Sequence, residues 1–287
     1  MAGQGIYNDN ERNTGLLNVR VLYEDNHVIC AIKPRGVLSQ ADGTSAPDML
    51  TILKRYIKDK YKKQGDVYLG LVHRLDRPVG GVMAFARTSK AAGRLSEQIR
   101  ERAVRKVYYT VLRGTPAEPS GRLEHMIYKD RSANLVRVSD IARPETGNDS
   151  NVAALGGTDA RLDGNVDAIG GTNARPDENV TALDPAYAAL DYCVLASSNN
   201  NADATGETAL VRVGLLTGRP HQIRAQFAHI GHPVIGDRKY GAGDNYITAG
   251  PALWAASLEF THPVNRSPLV ISAPPPNEYP WNLFTEY

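Results

Sequence analysis

Short apolar runs separated by turn-forming residues dominate the chain and predict a protein built mainly of β-strands. The predicted strands are rich in Val, Ile, Leu and Tyr and comprise residues 19–23, 28–32, 71–73, 82–86, 107–112, 121–128, 134–138, 188–196, 209–216 and, as the last strand, 252–260. Amphipathic periodicity predicts three helices: residues 48–63, a helix capped by Ser89, and a helix opened by Gly218, Arg219 and Pro220. This strand-rich order with interspersed helices is compatible with an α+β domain.

Two segments lack this pattern of apolar runs. Residues 1–17 are polar and are predicted to be a disordered tail, whereas residues 141–185 contain a 14-residue repeat rich in Gly, Asn, Asp and Ala. The repeat units begin at Asn151, Asn165 and Asn179. Two copies and a third start cannot build a solenoid. We therefore expect a flexible acidic insertion in a surface hairpin of one catalytic domain, which spans residues 18–287.

The distribution of charge favours a polyanionic partner. The formal net charge of the 287 residues is +2, but residues 141–185 hold eight acidic and three basic side chains, so the remainder carries +7. A basic cluster leads from the second predicted helix to Tyr108 and Tyr109, and it consists of Lys90, Arg94, Arg100, Arg102, Arg105 and Lys106. Basic side chains beside aromatic rings suit nucleotides, because the charges bind phosphates and the rings stack on bases.

Neither a membrane nor a metal is indicated by the sequence. No apolar run approaches the roughly 20 residues that span a bilayer, and the first residues lack the pattern of a secretory signal. Cys30 and Cys193 lie in apolar segments and are predicted to be free thiols. His229 and His232 have no third ligand nearby in the sequence and are predicted to be structural. We therefore expect a cytoplasmic protein without a metal site.

The strongest candidate chemistry lies in one short stretch around Asp76. This carboxylate stands between Arg74 and Arg77, after a predicted strand and before Pro78 and two glycines. Adjacent cations favour the ionised carboxylate. An ionised aspartate at a strand-to-loop junction can be a nucleophile, a base or a partner in an ion pair. A purely structural Asp–Arg pair in a turn is the alternative interpretation of the same residues.

The segment His73-Arg74-Leu75-Asp76, followed by glycine, resembles the signature of the RluA-type pseudouridine synthases. That signature usually continues with Thr-Ser-Gly, where this chain has Val79-Gly80-Gly81. Further segments that resemble the family, in the same order, are Ile32-Lys33-Pro34-Arg35-Gly36, Arg105-Lys106-Val107-Tyr108, Thr217-Gly218-Arg219-Pro220-His221-Gln222-Ile223-Arg224, Gly231-His232-Pro233-Val234-Ile235-Gly236-Asp237 and Tyr240-Gly241.

This resemblance implies an enzyme that isomerises uridine to pseudouridine in ribosomal or transfer RNA. It implies an α+β fold with a mixed, mainly antiparallel sheet, flanking helices and a central RNA-binding cleft. Neither a cofactor nor a metal is needed, because the reaction is an isomerisation without redox change. RNA is the expected partner of a monomer that needs no obligate protein partner. Whether the nucleophile attacks the ribose C1′ or the uracil C6, or whether a glycal forms first, stays open.

The resemblance also implies roles for individual residues. Asp76 is the expected nucleophile, and Arg224 is expected to pair with Asp76. Tyr108 is expected to stack on the uracil and can take part in removing the proton at C5. Helical periodicity places Arg224 about 90° from the centre of its apolar stripe, and an arginine at the edge of the core needs an anionic partner. The expected RNA-facing rim comprises Arg74, Arg77, Lys106, Arg219, His221 and Gln222.

Two other functional classes remain open at this point. A catalytically silent RNA-binding protein of the same fold is suggested by the altered loop Val79-Gly80. A retaining glycosidase built on Asp76 is the second alternative, and it needs another carboxylate about 5 Å away.

Overall fold

A computed structural model describes residues 19–130, 135–141, 185–200, 206–241 and 250–284. The strands are β1 Val21–Glu24, β2 Val28–Lys33, β3 Gly70–Leu71, β4 Gly80–Ala86, β5 Arg105–Arg113, β6 Ser120–Asp130, β7 Leu135–Asp140, β8 Ala186–Asn200, β9 Gly206–Leu215, β10 Leu253–Thr261 and β11 Pro268–Ser272. The helices are α1 Met49–Lys60, α2 Ser89–Arg100, α3 Gln222–His229 and a short 3-10 helix at Trp281–Leu283. The predicted tail and nearly all of the acidic insertion lie outside the described residues.

All the strands belong to one sheet of 11 strands, whose main path runs β1-β2-β4-β10-β5-β9-β8-β6-β7. Strand β3 pairs with β4, and β11 pairs with β10. The pair β4–β10 is parallel, and every other described pair is antiparallel. This mixed, mainly antiparallel sheet with few helices confirms the predicted α+β class.

The helices cover both faces of the sheet. In β2, Ile29 and Ala31 join the large core cluster that also contains the apolar faces of α1 and α3, whereas Val28 and Cys30 join a second cluster with α2. Successive strand residues point to opposite faces, so α1 and α3 lie on one side of the sheet and α2 lies on the other. Tyr108 belongs to the large cluster and marks the side of the sheet on which the candidate active site lies.

The helix starts differ from the sequence predictions. The cap of α2 is Thr88, whose side chain accepts the Ala91 N–H, so Ser89 is already the first helical residue. Helix α3 begins at Gln222, two residues after Pro220, because His221 adopts a left-handed backbone with φ 52° that cannot continue a right-handed helix.

Two strand predictions were also inaccurate. Strand β3 ends at Leu71 and does not reach His73, because the Ala84 N–H is bonded by the imidazole of His73 and not by its backbone. The predicted last strand corresponds to β10, but β11 follows it and pairs with it in an antiparallel register. The segment of β11 has only 5 residues and begins with proline, which hides its strand character in the sequence.

Candidate active site

The loop that carries Asp76 joins β3 to β4 and is fixed along its length. The His73 Nε2 accepts the Ala84 N–H at 3.0 Å, and the Asp76 carbonyl accepts the Val79 N–H at 3.0 Å. Ser39 Oγ donates to the Leu75 carbonyl at 2.8 Å and accepts the Leu75 N–H at 3.1 Å. These bonds fix the backbone of Leu75 and of Asp76 itself, so the position of Asp76 is set by the surrounding chain.

Lys33 ties a second loop to the one that carries Asp76. Its ammonium is buried and donates to the carbonyls of Val37 at 2.6 Å, Arg77 at 3.0 Å and Pro34 at 3.1 Å. Burial lowers the pKa of Lys33 to about 7, while the charge of Asp76 acts in the opposite direction. Three carbonyl acceptors match the three donors of a protonated lysine, so the charged form satisfies all of them.

The departure from the family pattern at Val79-Gly80-Gly81 has a packing explanation. A Cβ atom on Gly80 would lie 2.5 Å from the indole ring of Trp254, which packs where β10 meets β4. A Cβ atom on Gly81, at φ 125°, would lie 2.3 Å from the Ala255 carbonyl oxygen. The large indole therefore requires glycine at position 80, where the family signature has serine. The indole of Trp254 in β10 therefore fills the space that a side chain at position 80 would occupy.

Arg224 bonds to the carboxylate of Asp76 and also to a second, buried carboxylate, that of Asp237. Its Nε and Nη2 bind the two oxygens of Asp237 at 2.6 and 2.7 Å, and its Nη1 donates to Asp76 Oδ2 at 3.3 Å. Burial lowers the pKa of Arg224, but the hydrogen bonds and charge of Asp237 outweigh it and raise the pKa overall, with Asp76 adding to the increase. Arg224 and Asp237 are almost completely buried, whereas the side chain of Asp76 is 27% exposed.

His221 and Tyr240 complete the surroundings of Asp76. His221 Nε2 lies 3.8 Å from Asp76 Oδ2, and its Nδ1 is 2.7 Å from the Tyr240 hydroxyl. The Tyr240 ring lies against the Arg224 guanidinium, with 5.1 Å between the guanidinium carbon and the ring centre. Burial lowers the pKa of His221, although the charge of Asp76 partly opposes it. His221 therefore faces the carboxylate as a neutral ring at pH 7.

A cavity of about 860 Å³ lies in front of the Asp76 carboxylate. Tyr108, from β5, lines this cavity and is 8% exposed. Burial, and after it the charge of Asp76, raises the pKa of Tyr108, so its phenol stays protonated near neutral pH. The cavity therefore combines a charged carboxylate with the surface of a neutral aromatic ring.

The six residues expected on the RNA-facing rim have different surroundings. Arg74 and Arg219 are exposed, and Arg219 Nε donates to the Tyr187 carbonyl at 3.2 Å. Arg77 is also exposed, but its Nε donates to the Gly36 carbonyl at 3.1 Å. Lys106 is half-buried, and burial lowers its pKa.

Gln222 does not fit the expected position on the rim. Its side chain is buried, and its Nε2 donates to the Ala189 carbonyl at 3.0 Å. Its Oε1 accepts from the Thr217 hydroxyl at 2.8 Å and from the Arg219 N–H at 3.0 Å. Gln222 therefore organises the chain that enters α3. His221 likewise turns toward Asp76 and lies inside the site.

Three residues of this site received no role in the sequence analysis, namely Lys33, Asp237 and Tyr240. The need of Arg224 for an anion at the edge of the core was a usable signal, but it did not indicate that two carboxylates share the guanidinium. Lys33 ends a strand of apolar residues, where a buried lysine has no sequence signal of its own. Tyr240 and Asp237 both lie in segments that resemble the family.

Within the described part of the chain, His125, Asp140 and His229 form the group with metal-ligand spacing. The amide nitrogen of Gln226 donates to two backbone carbonyls and lies 2.9 Å from His125 Nδ1. Because an amide nitrogen can only donate, His125 Nδ1 is the acceptor in this contact, and the proton of a neutral His125 resides on Nε2, which faces Asp140 at 3.6 Å. A protonated Nε2 cannot ligate a metal, so this cluster favours hydrogen bonding.

Comparison with known proteins identifies the family to which this chain belongs. Residues 27–229 match the model of a family described as RNA pseudouridylate synthase. The chain therefore belongs to this family, and it is an RNA pseudouridine synthase, which is an isomerase. The resemblance identified from the sequence is confirmed.

Individual relatives extend over most of the chain. The tRNA pseudouridine synthase C of Salmonella typhi is 27% identical over 268 residues, which cover 89% of this chain and 85% of that protein. A chloroplastic RNA pseudouridine synthase 2 of Arabidopsis thaliana is 27% identical over 231 residues, covering 73% of this chain and 44% of its own length. The human RNA Pseudouridylate Synthase Domain Containing 4 superposes with a TM-score of 0.62 at 21% identity, covering 89% of this chain and 88% of its own, which shows a shared fold.

No helix among the described residues is long and apolar enough to cross a membrane.

Proposed function

We propose that Asp76 is the nucleophile with which this enzyme isomerises uridine to pseudouridine. The observation that supports this proposal is the paired arrangement of carboxylates around Arg224. Asp237 neutralises and orients the guanidinium from the buried side, and the remaining Nη1 reaches Asp76 at 3.3 Å on the cavity side. An arginine held in this way aims the Asp76 carboxylate at the nucleoside that occupies the cavity.

The reaction exchanges one bond of the target nucleoside for another. The bond between uracil N1 and ribose C1′ breaks, the base turns, and the bond between C5 and C1′ forms. C5 loses its proton, and N1, which carries none in uridine, gains one. Asp76 Oδ2 faces Arg224 and His221, and no described residue donates a hydrogen bond to its Oδ1. This second oxygen is the one available to the nucleoside, as an attacking atom or as a base toward the ribose.

Tyr108 has the position of a support for the uracil ring. Its ring lines the cavity, and burial together with the Asp76 charge keeps the phenol protonated. A protonated phenol is a poor base but a good stacking surface and hydrogen-bond donor. We therefore assign Tyr108 to holding the turning uracil, and we give it no role as a phenolate base at neutral pH.

The target nucleotide has to leave its stack before it can reach this cavity. The exposed guanidinium groups of Arg74 and Arg219 and the half-buried ammonium of Lys106 surround the entrance and are suited to bind the flanking phosphates. Transfer RNA is the first substrate class to test, because several relatives are tRNA pseudouridine synthases C, and ribosomal RNA is the second.

We further propose that the enzyme is a cytoplasmic monomer.

The purified protein is incubated with two unmodified RNA pools, transcribed transfer RNAs and transcribed ribosomal RNA, and pseudouridine is measured after nuclease digestion. We expect pseudouridine in at least one pool, in amounts that correspond to one or a few sites per molecule. Binding of both pools without any pseudouridine would favour the catalytically silent RNA-binding protein. Among the described residues, the carboxylate that shares Arg224 with Asp76 is unsuited to be the acid of the glycosidase alternative, because Asp237 is buried and bonded to Arg224 through both oxygens.

A further inference from the structure

A second concave surface adjoins the active-site cavity, and we call it the sheet groove. It has a volume of about 1150 Å³, and its floor is the face of the sheet opposite to the one that carries Tyr108. One row of cross-strand partners forms the centre of this floor, in the order Ser257, Val107, Gly214, Asp191 and Arg122. The C-terminal end of α2 and the turn after it form one wall.

The sheet groove is strongly basic. Seven cations line it: Arg100, Arg102, Arg105, Lys106, Arg122, Arg212 and Arg219. Asp191 and Glu259 are its carboxylates, so its net charge is +5. Asp191 binds Arg122, and Glu259 faces Arg105 at 3.4 Å. Among the described residues, no carboxylate pairs with Arg102, Lys106, Arg212 or Arg219, so these four charges are available to a bound anion.

The shape of the groove suits an extended polymer. Gly214 leaves the middle of the floor open, since a Cβ atom there would meet only one backbone oxygen at 4.0 Å. Tyr187 and Leu216 add apolar surface, with 38% and 36% of their area exposed. The five strands of the row span roughly 19 Å at the usual spacing of neighbouring strands. That length exceeds the size of a single nucleotide.

The sheet groove is continuous with the active-site cavity. The two share the lining residues Ile99, Lys106, Leu215, Gly218 and Arg219. The Lys106 ammonium lies beside Gly218, where β5 and the chain entering α3 come together. A strand that leaves the cavity at this point meets the basic floor without crossing an acidic surface.

We propose that the sheet groove binds the single strand of RNA that flanks the target uridine, as a contact surface separate from the catalytic cavity. This inference rests on the proposed function of the cavity. It assigns Arg102 and Arg212 to binding phosphates outside the reaction centre, with no role in the chemistry. RNA is favoured over an acidic peptide because the groove combines cations that lack a carboxylate partner with exposed apolar surface, which suit the phosphates and the bases of a strand.

The test compares the binding of two fluorescent oligouridylates, one of 5 nucleotides that extends little beyond the cavity and one of 20 that also spans the groove. The variant Arg102→Gln/Arg212→Gln removes two groove charges. The variant Arg55→Gln/Lys58→Gln removes two exposed charges from α1 and is the matched control. Pseudouridine formation in bulk transfer and ribosomal RNA is measured in parallel for all proteins.

We expect the affinity of the groove variant for the long probe to fall at least about tenfold at 50 mM salt. The slope of log affinity against log salt is expected to decrease by about 1.4, which corresponds to the loss of two phosphate contacts on a single strand. Affinity for the short probe stays at the wild-type value. The control variant retains the affinity of the wild type for both probes.

Three results would overturn the inference: equal wild-type affinity for both probes, long-probe binding by the groove variant that matches the control, or an equal loss for both probes. If the groove variant loses long-probe affinity while the wild type forms no pseudouridine in either RNA pool, the groove assignment stands and the proposed function of the cavity fails. Binding by a protein partner instead of RNA would appear as the second of these results.

Discussion

Two forked Arg–Asp pairs in this protein have nearly the same geometry and very different surroundings. In the active site, Arg224 binds Asp237 at 2.6 and 2.7 Å, and both side chains are almost fully buried. On the floor of the sheet groove, Arg122 binds Asp191 at 2.6 and 3.1 Å, and about half of each side chain is exposed. Distance alone therefore does not distinguish a pair that positions a reactive group from one that adjusts surface charge.

The surroundings of the two pairs determine what each can do. A buried arginine cannot be solvated if its partner is lost, so Arg224 and Asp237 fix each other in one geometry, and the third contact of the guanidinium can then aim Asp76. The exposed pair is surrounded by water and is screened by salt, so it adds little order to the fold. Its arginine remains available to exchange its partner for a phosphate.

The largest effect is expected from removing one member of the buried pair. Arg224→Met leaves Asp237 buried and unpaired, so we expect the free energy of unfolding to fall by about 3–5 kcal/mol. The rate of pseudouridine formation is expected to fall at least about 100-fold, because Asp76 loses its orientation. Arg122→Met is the matched control. It is expected to melt like the wild type and, at saturating RNA, to turn over like the wild type, because a groove contact affects RNA affinity and not the chemistry. Equal melting temperatures for the two variants would show that the buried pair contributes no more to stability than the exposed pair.

Lys33 offers a second way to disturb Asp76 without touching the Arg224 pair. Lys33→Met removes the donors of the Val37, Pro34 and Arg77 carbonyls, so the two loops lose one of their connections. The bonds between Ser39 and Leu75 and between Arg77 and Gly36 remain. We expect a roughly tenfold to 100-fold lower single-turnover rate with little change in RNA affinity. The exposed Lys58→Met is the control. A Lys33 variant with the wild-type rate would show that this connection does not position the carboxylate.

A partly buried histidine, His73, extends the comparison to the pH dependence of stability. Burial, with help from the charge of Lys106, lowers the pKa of His73 to about 3, and its Nε2 accepts the Ala84 N–H. Below pH 6.5 the His73 imidazole takes up a proton in the unfolded chain but stays neutral in the folded chain until the pH approaches 3. Folding stability therefore decreases as the pH falls toward 3, by at most about 1.4 kcal/mol per pH unit from this group.

The substitution His73→Gln preserves an acceptor for the Ala84 N–H but cannot titrate. Urea unfolding at pH 7.5, 6.5, 5.5 and 4.5 measures its effect. We expect the wild type to lose more stability than the variant below pH 6.5, while the two behave alike above it. Parallel losses over the whole range would show that His73 is free to take up a proton in the folded state.

The smallest effect is expected from the acidic insertion between β7 and β8, the strand that carries Asp191. Deleting residues 146–183, with a short Gly-Ser bridge, is expected to leave melting and turnover almost unchanged, because the segment has few large apolar side chains to offset the cost of ordering it. RNA affinity is expected to stay the same or to rise slightly at low salt. Failure of the deletion protein to fold, or to bind RNA, would show that the repeats belong to the domain or to its specificity.

The local patterns of the sequence were sufficient to predict most of the elements. Strands such as β4 and β5 have dense runs of apolar residues, and α1 has a regular apolar face, so their positions follow from periodicity alone. The start of α3 could not be predicted in this way, because the left-handed backbone of His221 depends on its packing beside Asp76 and Tyr240.

The site was predictable only in part, for a similar reason. The side chain of Asp76 has cationic neighbours in the sequence, and the helical position of Arg224 indicated a buried ion pair. The roles of Asp237 and Lys33 depend on contacts between distant segments, which a linear pattern does not contain. The same holds for Gly80, whose requirement for glycine comes from Trp254 in a parallel strand far along the chain.

The most direct test of the central claim compares two aspartates that both pair with arginine. Single-turnover rates of pseudouridine formation are measured with saturating enzyme for Asp76→Asn and Asp191→Asn, together with melting and RNA affinity. We predict no detectable pseudouridine from Asp76→Asn, with stability and affinity close to the wild type, and an unchanged rate for Asp191→Asn. A rate for Asp76→Asn within about tenfold of the wild type would contradict its assignment as the nucleophile.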